Sequence, residues 1–131
     1  MILLPTTLSM AAAAAILNIW LSLRIGKVRM SQKILHGDGG NDLLMRRMRA
    51  QSNFIENTPL ALILIAAIEI AGKGGIWLAP VAAIFMLGRL AHGLGMDSAT
   101  PSRLRMIGAL CSLLVLLGLA TIAVLVTLGV I

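Results

Sequence analysis

Four long apolar blocks constrain this chain more than any other feature. Residues 1–23 carry no charged side chain, nor do residues 74–88 or 106–131, and between Phe54 and Gly72 the only charges are Glu56 and Glu69. About 20 apolar residues carry a helix across a bilayer, and only helices and closed barrels satisfy their backbone groups there. The 131 residues are 59% hydrophobic and 12% charged, too little polar surface to cover a soluble domain. The expected fold is all-α: an integral membrane four-helix bundle forming a single domain over 1–131, with spans at about 5–24, 43–71, 76–96 and 101–130.

The small residues Ala11 to Ala15 imitate the end of a signal peptide. No basic stretch precedes them, and the apolar run continues through Trp20 to Leu23, so the segment reads as a retained span.

The net charge is +6, and its distribution orients the chain. Seven of eleven basic residues (Arg24, Lys27, Arg29, Lys33, Arg46, Arg47, Arg49) lie between the first two spans, Arg89, Arg103 and Arg105 flank the junction of the last two, and Lys73 stands alone between spans two and three. The positive-inside rule then places the two basic connections in the cytoplasm and both termini outside. Nucleic acid is a poor partner for this charge, because the chain has no Tyr and only two Phe and two Trp to stack on bases. Cys111 is the sole cysteine, so no intramolecular disulfide forms, and it reads as a small buried apolar residue.

The connection His36-Gly37-Asp38-Gly39-Gly40-Asn41-Asp42 suits a tight turn, without the spacing of a phosphate-binding loop. Asn41 or Asp42 is placed to cap the second helix. Pro59 removes one backbone donor inside that helix, freeing the carbonyl of Ile55 and favouring a bend past Glu56. Glu69 and Lys73 are spaced for a helix-end ion pair, and Gly72-Lys73-Gly74-Gly75 is a minimal turn. Trp20 and Trp77 suit the two membrane interfaces. Thr100 and Pro101 fit the cap and first turn of the last helix.

The unusual polar groups gather toward the cytoplasmic ends: Arg29, Arg49, Gln51, Asn53, Glu56, Arg89, His92, Arg103 and Arg105. Contact with anionic lipid accounts for Lys27, Lys33, Arg46 and Arg47. It does not account for Asn53 and Glu56, which lie deeper in the span, where a charged group costs about 2.5–3.5 kcal/mol. Arg49, Asn53 and Glu56 fall within about 60° on one helix face. One explanation is a structural ion pair between Glu56 and an arginine of a neighbouring helix. The other is a slot for a small, multiply charged ligand. Arg49 to Glu56 spans about 10 Å; arginine suits carboxylates, glutamate an ammonium group, and asparagine or glutamine an amide. Glutathione has that inventory, as do other zwitterions.

The run Arg49-Ala50-Gln51-x-Asn53-x-x-Glu56-x-x-Pro59 closely resembles the second-helix motif of the membrane-associated proteins in eicosanoid and glutathione metabolism (MAPEG), which include the microsomal glutathione transferases. Gly26-Lys27-Val28-Arg29 resembles that family's arginine at the end of the first helix, and Gly88-Arg89-Leu90-Ala91-His92 the stretch before its active site. The resemblance covers nearly the whole chain. It implies a homotrimer in a bacterial inner membrane, with a glutathione site between subunits on the cytoplasmic side. Arg49, Asn53 and Glu56 would hold glutathione with help from Gln51, Arg29, Arg89 and His92. The catalytic arginine would be Arg105 or Arg103, counting from Met96 favouring Arg105, and a lipophilic electrophile or hydroperoxide would enter from the lipid.

Several relatives place tyrosines beside the thiol. This chain has none, with Asn57 and Met96 near those positions, so thiol activation would rest on arginine. Two other readings stand beside this one. A non-catalytic lipid- or protein-binding trimer would keep the motif for packing. A small multidrug exporter has four short helices too, but carries its key carboxylate in the first span, where this chain has no acidic residue.

Overall fold

The computed structural model describes residues 3–131, which form four α-helices: α1 (Pro5–Gln32), α2 (Asp42–Ile70), α3 (Leu78–Gly95) and α4 (Arg103–Thr127). All four are long and apolar enough to cross a membrane. α1 continues as helix beyond the expected span end at 24, to Gln32, so the basic residues Lys27 and Arg29 are helical and not in a connection. α4 starts at Arg103 behind an extended Ser102, a little later than Thr100 and Pro101 led us to expect.

The helices form a ring in the order α1–α2–α4–α3, with α2 and α3 also touching across it and α1 remote from α4. Apolar clusters run along the bundle. Ile65, Ile68, Leu78, Phe85 and Leu119 pack at one end, and Leu17, Leu21, Ala50, Phe54 and Met96 toward the other. A third cluster of Ile25, Val28 and Leu44 closes the basic end. α4 buries only Gly108, Ser112 and Leu119; Val115, Leu116 and Ile122 pack partly against the core, while Leu110, Leu113, Leu114 and Leu117 are exposed, as suits a helix with one face toward lipid.

The helix termini show how the bundle is tied. Of the two candidate caps, Asn41 closes α2 by accepting from Leu44 N at 2.9 Å, and Asp42 is the first helical residue. At α1 the N-terminal residue Leu4 supplies no side-chain cap. Glu69, from the far end of α2, accepts instead from Thr6 N and Thr7 N, both at 2.9 Å, and from Thr7 Oγ1 at 2.7 Å. A carboxylate at a helix N-terminus satisfies orphan N–H groups and complements the helix dipole. The expected Glu69–Lys73 pair is therefore not formed: Glu69 has better donors on α1.

α3 and α4 approach most closely through glycines. A Cβ on Gly95 would overlap the backbone nitrogen of Arg105, and one on Gly108 would overlap the Gly88 carbonyl oxygen and the His92 nitrogen. Small residues at such crossings let two backbones meet.

Candidate functional site

The core of the site is a guanidinium without a carboxylate. Arg89 is 2% exposed, yet neither ion pair among the described residues involves it. Its Nη2 donates to Asn53 Oδ1 at 2.5 Å and its Nη1 to Ser112 Oγ at 3.0 Å, linking α3 to α2 and α4. Ser112 in turn donates to the Gly108 carbonyl at 2.8 Å, and Asn57 Nδ2 donates to the Asn53 carbonyl at 2.8 Å. Three buried polar atoms nearby along these helices, Arg89 Nε, His92 Nδ1 and Thr58 Oγ1, have no partner. Unsatisfied groups in a low-dielectric core are costly and call for an explanation.

Arg49 and Glu56 are exposed on α2, beside half-buried Asn53. Neither is engaged in the ion pairs found among the described residues. The structural ion pair weighed for Glu56 is thus not formed within one chain, and its carboxylate remains exposed.

Gln51 points elsewhere. Its Nε2 donates to Asn18 Oδ1 at 3.1 Å and Ser22 Oγ at 2.6 Å, both on α1. Positions 51 and 53 are about 200° apart on a helix, so α2 presents two functional sides. Arg29 belongs with the α1 side: it reaches Met48 Sδ at 3.5 Å and lines a hollow of about 580 Å³ with Gly26, Met30, Lys33, Ile34 and Leu35. The nine candidate residues are therefore not gathered into one pocket within a single chain.

His92 is buried on α3 one turn from Arg89. Arg103 and Arg105 are exposed at the start of α4, and the backbone of Arg105 rests on Gly95 of α3. A second cavity, of about 590 Å³, lies between α1 and α3 near their N-terminal ends, lined by Met10, Ala13, Ala82 and Met86 among others.

One cluster was not anticipated. Asp97, just past α3, accepts from Arg47 Nε at 3.1 Å and Arg47 Nη2 at 2.9 Å, and also pairs with Arg24. Arg47 was expected among the lipid-facing cations; this bidentate pair removes it from them. Arg47 Nη1 donates to the Arg24 carbonyl at 2.9 Å, and Arg24 stacks 4.4 Å from the Trp20 ring centroid. Burial raises the Asp97 pKa, but the Arg47 hydrogen bonds and the Arg24 and Arg47 charges outweigh it and hold the carboxyl below the usual aspartate range. The available signal was that Asp97 is the sole acidic residue after Glu69.

The MAPEG family model matches residues 7–125. The inner membrane protein YecN of Escherichia coli strain K12 is 31% identical over 86 residues, 65% of this chain and 65% of that protein. YecN of Escherichia coli O6:H1 (strain CFT073) aligns with the same identity and coverage. The alignment thus spans just under two thirds of each relative.

Proposed function

The chain belongs to the MAPEG family, and on that premise we propose that it is an inner-membrane glutathione transferase or peroxidase acting on lipophilic electrophiles or hydroperoxides. The observation that carries this reading is the exposed Arg49 and Glu56, outside both ion pairs, flanking Asn53 on a helix long and apolar enough to cross a membrane. Charged groups persist there when a ligand or partner completes them. Arg49 binds a glutathione carboxylate, Glu56 its ammonium group, and Asn53 an amide, with Arg89 and His92 shaping the wall behind them.

Gln51 lies on the side of α2 that meets α1, and Arg29 is on α1 itself, which favours a site completed by two copies of the chain. One subunit of a homotrimer supplies Arg49, Asn53 and Glu56, and its neighbour supplies Gln51 and Arg29. Arg105, with Arg103 as the alternative, stabilises the thiolate. An unperturbed thiol has a pKa of about 8.5, so a nearby guanidinium increases the nucleophilic fraction at neutral pH. The thiol gives up its proton to water, the sulfur attacks the electrophilic carbon, and the leaving group departs with the bonding pair. Relatives that use tyrosine for this step differ from the present chain, which has none.

Replacing Arg105 by Ala is expected to abolish conjugation of a generic aryl halide while glutathione still binds. Unchanged turnover would reject the catalytic role. A second reading, a non-catalytic lipid- or protein-binding trimer, draws on the engagement of Asn53 by Arg89. It predicts no glutathione-dependent heat.

A further inference from the structure

The basic end of the bundle contains a clasp that joins three helices at one carboxylate. Arg47 from α2 grips Asp97 through two nitrogens, and Arg24 from α1 pairs with the same carboxylate while donating from Nη1 to the Gly93 carbonyl at 2.9 Å. A two-point guanidinium–carboxylate contact fixes orientation as well as distance. Gly93 itself packs against the Trp20 ring, which lies beneath Arg24. The end of α3 is thereby held through the Gly93 carbonyl within the helix and the Asp97 carboxylate just beyond it.

Two residues before Asp97 is Gly95, whose Cα surface receives the backbone of Arg105. The seat of the α4 start and the clasp thus share one short segment, residues 93–97. We propose, building on the thiolate reading above, that Asp97 is a positioning residue for Arg105: by pinning the end of α3 to α1 and α2, it sets where α4 begins and where its guanidinium meets the sulfur. It touches no substrate itself. Nothing else at this end ties α3 to both α1 and α2 through charge among the described residues.

The test uses the full-length protein in detergent with glutathione and a chloronitrobenzene. In Asp97→Asn, the glutathione affinity from calorimetry is expected to stay within about twofold, since the Arg49–Glu56 face is untouched. The turnover number should fall roughly 10- to 100-fold, the cost of misplacing a reacting group by about 1 Å. The absorbance titration of bound glutathione should show thiolate forming at higher pH, and amide hydrogen exchange across residues 95–106 should quicken. Asp97→Glu should restore part of the turnover. If Asp97→Asn does not fold, Arg47→Lys keeps the charge and removes the two-point grip, and the same four readouts apply. Wild-type turnover, thiolate titration and exchange in the variant would overturn the proposal. A wild-type protein that binds no glutathione would instead defeat the functional reading, while the exchange measurement would still decide whether the clasp holds the α4 start.

Discussion

Arg89 Nη2 donates to Asn53 Oδ1 at 2.5 Å, joining α3 to the Arg49–Pro59 motif of α2. The bond places a side chain of the motif inside the bundle, whereas Arg49 and Glu56 on the same face lie outside. The motif is therefore half scaffold and half surface.

That division has a consequence for stability. Asn53→Ala leaves a buried guanidinium nitrogen without its acceptor, which costs about 1–3 kcal/mol. Thermal unfolding followed by circular dichroism in detergent should show a clear fall in midpoint. Glu56→Gln, at an exposed position, should leave the midpoint nearly unchanged.

At the opposite end, Glu69 holds the first turn of α1. Glu69→Ala removes the acceptor for two backbone N–H groups and a hydroxyl, so a loss of about 1 kcal/mol is expected, by analogy with capping residues. Hydrogen exchange at Thr6 and Thr7 should quicken, with glutathione affinity unaffected. Unchanged exchange there would show that the cap is dispensable.

The α3–α4 crossing tolerates no added atoms at Gly108, where a Cβ would overlap the Gly88 carbonyl oxygen. Gly108→Ala should destabilise the bundle by about 1–3 kcal/mol, the usual range for overpacking. Gly118, on the same helix with open space around its Cβ position, is the control: Gly118→Ala should be neutral or slightly stabilising.

The Asp97 clasp should give the protein a defined acid sensitivity. The folded carboxyl has a pKa held below its ordinary value, so its contribution is complete above the unfolded-state value of about 3.9. It is lost as pH falls through the depressed folded value. The melting midpoint of the wild type should fall more steeply below about pH 4 than that of Asp97→Asn. Parallel curves would contradict this.

The four-span architecture was legible because bilayer thickness leaves little choice for long uncharged blocks. A cap at Asn41 or Asp42 was legible because a cap is local, although the choice between the two was not. Glu69 and Arg47 were misassigned for a shared reason. Each has a plausible local partner or environment in sequence, Lys73 for one and lipid for the other, but binds a more distant group with better geometry. The opposed sides of Gln51 and Asn53 follow from helical periodicity. What Gln51 meets does not, since Asn18 and Ser22 reach it only once α1 has packed on α2. Ser112 sits in an apolar run that read only as a span; its role depends on the close approach allowed by Gly88 and Gly108.

The claim on which the functional account depends is that the Arg49–Glu56 face receives glutathione. Calorimetric titration of the detergent-solubilised protein with glutathione tests it most directly, using the wild type, Arg49→Ala and Glu56→Gln. The account predicts saturable binding to the wild type that weakens about tenfold or more in each variant, the equivalent of losing about 1.4 kcal/mol. A wild-type titration indistinguishable from dilution, or equal affinity in all three proteins, would contradict it.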